Sequence, residues 1–204
     1  MGFELVGLVW EIDAFRDYFK TVNTKWAKSI TLHHTAEPSL IQRPVGLIKQ
    51  HIENIKYYYK EKLGWSTGPH LFIDDDEIYG MSSLWRRGVH ARSFNKDSIG
   101  IEVLGDYDVE DPTSGRGLAC WTMAAQAVAV ICQQKKMDPC PVTIKFHRDD
   151  PKTSKTCPGE KVSKEWFISL VKFELANMRT LNISDMTLEQ RVERLEKQAG
   201  FSKK

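Results

Sequence analysis

Two histidines and one cysteine carry the most distinctive chemical pattern in the sequence. His33 ends one apolar segment, His147 ends another, and Cys157 follows in a polar stretch before Pro-Gly. Two imidazoles and one thiolate suit zinc, and three protein ligands leave a fourth position open for water, as a catalytic site requires. Taken singly, a histidine at a strand end more often makes a structural hydrogen bond, and such a cysteine is more often a buried thiol. The spacing alone leaves both interpretations open.

Alternation of side chains predicts the strand that carries the first histidine. In residues 28–34, Ile30, Leu32 and His34 share one face, and His33 lies on the other. His34 is the competing ligand at this position, but the face that it shares with two apolar residues indicates core. We therefore predict that His33, not His34, faces the metal.

Two further predicted strands carry chemically useful residues. Residues 98–104 alternate in the manner of a strand and place Glu102 on its second face, which Gly100 leaves uncrowded. Residues 142–146 form an apolar run that leads directly into His147. The pattern predicts that strands deliver a carboxylate as well as a metal ligand.

The remaining elements complete an α/β pattern. Helices are predicted at residues 11–22, 44–64, 118–136 and 163–178, and a hairpin at 71–79. Pro44 is suited to open the second helix and Gly64 to close it, and we interpret this helix as a packing element. The sum is an α/β domain with a mixed central β-sheet flanked by helices.

Three sequence regions are expected: an N-terminal helical extension at 1–26, the main domain at 27–179 and a charged helical tail at 180–204. In the tail, Thr187 and Gln190 resemble a capping box. Apolar residues follow a four-three-four spacing there, at Leu188, Val192, Leu195 and Ala199. The pattern predicts a short helix that packs on the domain or mediates self-association with another chain.

Composition narrows the class of partner. The formal net charge of the 204 residues is +2, so no general attraction to nucleic acid is implied. We expect no membrane insertion, because no apolar run approaches the length needed to cross a bilayer. We also expect no secretion signal, because the start of the chain carries Glu4 and lacks a basic leader followed by a long apolar stretch. The chain is therefore expected to fold in a cytoplasm, where its four cysteines stay reduced. Each cysteine is then a buried thiol or a metal ligand.

Seven separated segments resemble, in order, those of one enzyme family. They lie at residues 32–36, 64–65, 70–74, 88–91, 95–102, 147–149 and 155–159. The chain resembles type 2 N-acetylmuramoyl-L-alanine amidases, which share their fold with phage T7 lysozyme and the peptidoglycan recognition proteins. The resemblance spans residues 28–178, and the joint pattern is specific although each segment is short.

The resemblance implies roles for five residues. His33, His147 and Cys157 match the three ligands of the family's Zn²⁺ ion. Glu102 matches the catalytic glutamate of the cytoplasmic members, and a carboxylate near the water would accept its proton and pass it to the amine. Lys155 lies two residues before the cysteine, as in the family, and its ammonium is suited to stabilise the oxyanion.

The chain departs from the family pattern at one position, and the resemblance also suggests three weaker candidates for substrate binding. T7 lysozyme uses a tyrosine from the strand before the hairpin, and that position falls on Pro69 here, so the chain depends more heavily on Glu102. His90 and Asn95 lie in segments that border the substrate groove in relatives, and we carry them as substrate-binding candidates. Trp65 is a third candidate, because aromatic faces suit sugar rings, although core packing explains it equally well.

The implied activity is hydrolysis of the amide bond between N-acetylmuramic acid and L-alanine in bacterial peptidoglycan. The architecture favours a phage-type endolysin that is held in the host bacterial cytoplasm before release to the cell wall. One alternative is a cytoplasmic amidase that recycles muropeptides. The other is a noncatalytic recognition protein, but such relatives typically lose the cysteine ligand, and Cys157 is present.

Overall fold

A single six-stranded sheet organises the part of the chain that the computed structural model describes, residues 3–184, with side chains described to residue 178. The strands are β1 (Val9–Trp10), β2 (Ser29–His34), β3 (Leu71–Ile73), β4 (Ile78–Gly80), β5 (Ser98–Val103) and β6 (Ile144–Phe146). The helices are α1 (Ile12–Thr21), α2 (Lys49–Glu61), α3 (Gly115–Lys135) and α4 (Lys164–Ser184). The strand order is β1-β4-β3-β5-β2-β6; β4 runs antiparallel to both of its neighbours, β1 and β3, and the other neighbouring pairs are parallel. The predicted α/β class with a mixed sheet is confirmed.

Both faces of the central strands are covered, which explains their continuous apolar character. Every residue of β2 is buried, as expected of a parallel strand with helices on both sides. Leu71 and Ile73 of β3 join the larger hydrophobic cluster together with α3, whereas Phe72 between them joins a smaller cluster with Ile52 of α2. The sheet is therefore held between α3 on one face and α2 on the other.

The register of the parallel strands determines which polar residues meet. His33 of β2 lies directly opposite Glu102 of β5, and Leu32 lies opposite Phe146, the last residue of β6. A short 3₁₀ turn, His147–Asp149, then begins where β6 ends. Because the carboxyl ends of parallel strands share one edge of a sheet, these residues come together there.

Helix α3 is the main core helix. By length and composition alone it could cross a membrane, contrary to the sequence prediction that no run approaches that length. Most of that stretch is buried inside the protein, where it contacts α1, α4 and the sheet. Cys120 and Cys132 are buried on this helix, which makes them core thiols.

Helix α2 begins five residues later than predicted. Pro44 does not open it, because Gly46 takes a left-handed conformation with φ +80° and the Leu47 amide donates to the carboxylate of Asp74 at 2.6 Å. These contacts fix a turn, and the first helical residue is Lys49. The prediction failed because Asp74 comes from the distant β3–β4 turn.

Two other boundaries differ from expectation. The two-residue strand β1 was not predicted, since it is too short to show alternation and is defined by its pairing with β4. Helix α4 continues past Met178, where the sequence analysis ended it, to Ser184. The predicted tail features, with Thr187, Gln190 and the spaced apolar residues, lie outside the described residues.

Candidate active site

The three predicted metal ligands converge at the carboxyl edge of the sheet. Ligand atoms of His33, His147 and Cys157 all lie within 4.8 Å of one another. Nδ1 of His33 is 3.6 Å from Sγ of Cys157, and the rings of the two histidines are centred 4.6 Å apart. A tetrahedral ion with nitrogen at about 2.05 Å and sulfur at about 2.3 Å would hold those two atoms about 3.6 Å apart. The donor set and its spacing therefore fit zinc.

The competing histidine is engaged elsewhere. Nδ1 of His34 accepts a hydrogen bond from the backbone N–H of Tyr107 at 3.1 Å. Its ring groups with the carboxylates of Asp106 and Asp108 and not with His147. His33, and not His34, therefore lies with His147 and Cys157, whereas His34 is buried among polar partners and not in the apolar core that the alternation predicts.

Arg148 holds the segment that carries the cysteine. Its backbone N–H donates to the carbonyl of Cys157 at 2.7 Å. Its guanidinium donates to three further carbonyl oxygens, those of Thr156, Gly159 and Val162. Because the contacts are all to backbone, they fix the path of the loop that places the thiol beside His33.

Burial determines the electrostatics of the ligand set. It lowers the pKa of His33 well below its ordinary value, with help from the charges of His90 and His147, so the neutral imidazole, which has one free ring lone pair, is favoured over the imidazolium. Burial also raises the pKa of the Cys157 thiol, and the charge of Glu102 adds to this effect. A thiolate at this position therefore requires a compensating cation, which a metal would provide.

Glu102 adjoins the ligand cluster from β5. Its Oε1 lies 3.9 Å from Nδ1 of His33, and its side chain is only 12% exposed. Burial raises the pKa of Glu102 to about 8, and the positive charge of Lys155 opposes that rise. Lys155 itself is exposed and lines the same groove. The two predicted catalytic residues thus line one groove, close enough for the charge of Lys155 to act on Glu102.

A groove of about 980 Å³ runs from this cluster along helix α2. The helix contributes His51, Asn54, Ile55, Tyr58 and Tyr59 to the wall. Sequence analysis assigned α2 to packing and missed this role. Ile52 is the one residue of α2 that is fully buried, whereas Tyr57 and Tyr58 are 64% and 51% exposed. The signal available in the sequence was the run of three tyrosines on a helix with a weak apolar face.

Tyr59 extends from α2 into the groove that also contains Glu102. Its ring covers Gly68, where an added Cβ would come within 2.9 Å of the tyrosine Cδ2. Burial raises the pKa of the Tyr59 phenol, and the next contributions come from the charges of Glu102 and Tyr58. The phenol is therefore close enough to Glu102 to be affected by its charge, and it lines the same groove as Pro69.

The three substrate-binding candidates occupy different environments. His90 is 8% exposed and lies behind His33, with 3.1 Å between its Nδ1 and the Nε2 of His33. Oδ1 of Asn95 accepts hydrogen bonds from the backbone N–H groups of His90 and Ala91, both at 2.8 Å. Trp65 lines the groove and packs against the ring of Tyr59 at 5.0 Å between centroids. Direct contact with substrate stays a prediction for all three.

Comparisons with known proteins agree with this arrangement. The chain is 30% identical to peptidoglycan-recognition protein SC2 of Drosophila melanogaster over 112 residues, which cover 54% of the chain. That alignment spans 60% of the length of the relative. Among solved structures, the fold is similar to the N-acetylmuramoyl-L-alanine amidase LysC from Clostridium intestinale URNW, with a TM-score of 0.55 and 22% identity over 72% of this chain and 86% of that one.

A Drosophila PGRP-LB mutant in complex with tracheal cytotoxin has the same fold, with a TM-score of 0.55 and 20% identity over 80% of this chain and 87% of that one. The sequence profile of the N-acetylmuramoyl-L-alanine amidases matches residues 23–160. This match includes β2, β5, β6 and all three clustered ligand residues. The chain therefore belongs to the type 2 N-acetylmuramoyl-L-alanine amidase family.

Proposed function

We propose that the chain is a zinc-dependent hydrolase that cleaves the amide bond between N-acetylmuramic acid and L-alanine in peptidoglycan, and that it acts as a phage-type endolysin. The observation that carries this proposal is the cluster of His33, His147 and Cys157 beside the carboxylate of Glu102 in an open groove. A protein that only recognises its ligand has no need for a buried carboxylate next to three metal-binding side chains.

The reaction adds water across a C–N bond, which needs a nucleophile, stabilisation of the carbonyl oxygen and a proton for the departing nitrogen. Zinc held by His33, His147 and Cys157 would polarise the substrate carbonyl and lower the pKa of water at the site toward about 7. The carboxylate of Glu102 takes one proton from the attacking water and returns it to the nitrogen of alanine. The ammonium of Lys155 stabilises the negative charge that develops on the carbonyl oxygen.

The pKa of Glu102 is suited to this exchange. A group that both accepts and returns a proton works best when its pKa lies near the working pH, and burial raises that of Glu102 to about 8. The nearby charge of Lys155 opposes the rise and favours the carboxylate. The products are a free carboxylate on the sugar side and the free amino group of L-alanine.

The first experiment measures new amino termini released from purified cell wall. We expect chelation to abolish release and added zinc to restore it. Cys157→Ser should lose both zinc and activity, whereas Glu102→Gln should keep zinc and lose about 10²–10⁴-fold in rate. Matched controls are Cys140→Ser and Glu53→Gln, which lie outside the cluster and should retain full activity.

Full activity in the chelated protein would contradict the zinc mechanism. A zinc-loaded protein that sediments with cell wall but releases no L-alanine amino termini would instead be a recognition protein, the function named for the Drosophila relative.

A second experiment separates the endolysin from the recycling enzyme. Intact sacculi and a soluble anhydromuropeptide are offered to the protein side by side, at matched amide concentration. The endolysin proposal expects release from sacculi. Turnover of the soluble substrate alone would refute the endolysin role while leaving the chemistry intact.

A further inference from the structure

A chain of hydrogen bonds lies behind the proposed metal cluster. Nε2 of His33 lies 3.1 Å from Nδ1 of His90, and Nε2 of His90 lies 3.0 Å from the carbonyl oxygen of Ser98. The other ring nitrogen of His33, Nδ1, faces the sulfur of Cys157. The imidazole of His33 thus has one nitrogen toward the cluster and one toward His90.

The carbonyl at the end of the chain fixes the direction of every bond. A carbonyl oxygen only accepts, so Nε2 of His90 carries a proton and donates to Ser98. With one proton on a neutral ring, Nδ1 of His90 is an acceptor, and the buried position of this residue, which is 8% exposed, supports the neutral form. His33 must then donate from Nε2, which leaves the lone pair of its Nδ1 directed toward Cys157.

We propose that His90 is a positioning residue that fixes the ring of His33 in the tautomer and orientation whose Nδ1 faces the metal cluster. Partners of this kind commonly set the tautomer of metal-binding histidines, and their loss typically weakens metal affinity by about 10–100-fold. This inference rests on the proposed zinc site. It gives His90 a role different from the substrate contact expected from sequence.

The surroundings of His90 hold its ring in place. The ring lies against Gly100 of β5, where an added Cβ would be 2.5 Å from its Cγ. Its backbone N–H donates to Oδ1 of Asn95 at 2.8 Å, and its ring meets that of His70 edge to face at 6.1 Å. A glycine, an amide and a second histidine thus restrict the position of one imidazole.

Two amide substitutions test the role of a single nitrogen. In His90→Asn, the amide oxygen takes the place of Nδ1 and still accepts from His33. In His90→Gln, the longer amide takes the place of Nε2, so it keeps the bond to Ser98 and loses the acceptor beside His33. The two variants are similar in polarity and serve as matched controls for each other.

The first readout is the zinc dissociation constant, measured by competition with a chromophoric chelator. We expect His90→Gln to bind zinc about 10–100-fold more weakly than the wild type, and His90→Asn to stay within about threefold. The second readout needs no metal. The ¹⁵N shifts of the His33 ring in the metal-free protein should show the Nε2–H tautomer in the wild type and in His90→Asn, and a mixture in His90→Gln.

Equal zinc affinity in the wild type and His90→Gln would overturn the positioning role, as would an Nδ1–H tautomer of His33 in the metal-free wild type. Equal weakening in both variants would also overturn it, since that result marks a requirement for imidazole packing. These outcomes are distinct from failure of the proposed function, in which the wild type itself binds no zinc. Thermal unfolding of the metal-free variants checks that each one folds.

Discussion

Replacing Gly100 with alanine should disturb the protein through the ring of His90. The new methyl carbon would lie 2.5, 2.6 and 2.9 Å from the Cγ, Cδ2 and Nδ1 atoms of that ring. Ordinary carbon contacts begin at about 3.5 Å, so the ring must move by about 1 Å. Overpacking of this severity costs about 2–3 kcal/mol, and the better strand conformation of alanine returns about 0.5–1 kcal/mol. The net loss of unfolding free energy is then about 1–2.5 kcal/mol.

The same displacement should also affect the metal site. A shift of about 1 Å breaks a bond that is 3.1 Å long between His33 and His90, so zinc should bind more weakly as well. Urea unfolding of the metal-free protein measures the loss of unfolding free energy, and competition with a chelator measures the loss of zinc affinity.

A double-mutant cycle with His90→Ala isolates the cause. Once the ring is absent, the methyl group of Gly100→Ala no longer clashes with it, and the loss of unfolding free energy should fall to about zero or become a small gain. An unchanged stability of the single Gly100→Ala variant would refute the reasoning. An equal cost in both backgrounds would refute it too, because the strain would then lie somewhere other than the ring.

Three further outcomes follow from the structure. Burial lowers the pKa of His70 to about 4, so folding keeps this ring neutral, and the unfolding free energy should fall by about 3 kcal/mol as pH drops from 6.5 to 4. The His70→Asn variant can still accept the hydrogen bond from the Gly100 amide but does not titrate, so urea unfolding should show that it loses this part of the pH dependence. Tyr59→Phe should lower the rate of amide cleavage about 10-fold or more with unchanged zinc affinity, as measured by amino-terminus release, and an unchanged rate would leave the phenol without a role. Arg148→Met should weaken zinc binding in chelator competition, because the loop around Cys157 loses three hydrogen bonds. An unchanged zinc affinity would show that the loop keeps its conformation without the guanidinium.

The sequence was sufficient for the strands that carry the ligands. Alternation and apolar runs are local properties, so the strand that contains His33, the strand that leads into His147 and the strand that contains Glu102 could be predicted from windows of a few residues. The register that sets His33 opposite Glu102 could not, because it depends on pairing between segments far apart in the chain. The family resemblance supplied what the local patterns lacked, namely that these residues belong to one site.

The parts that escaped prediction depend on long-range contacts. The start of α2 was misplaced because the carboxylate of Asp74 holds the Leu47 amide in a turn. Gly100 was expected to leave space for Glu102, whereas it accommodates the ring of His90. Nothing in the sequence near His90 reveals that its partner is an imidazole 57 residues away.

The contacts of Arg148 with the loop around Cys157 have a consequence for how amide cleavage and binding to the cell wall could be separated. Its contacts are to backbone oxygens, so they do not depend on the side chain at the position of Cys157. Under the proposed function, a single exchange at that position removes the cutting chemistry and leaves the groove for the wall polymer in shape. Cleavage could then be lost in evolution more easily than binding. The Cys157→Ser variant would bind bacterial cell walls without cleaving them.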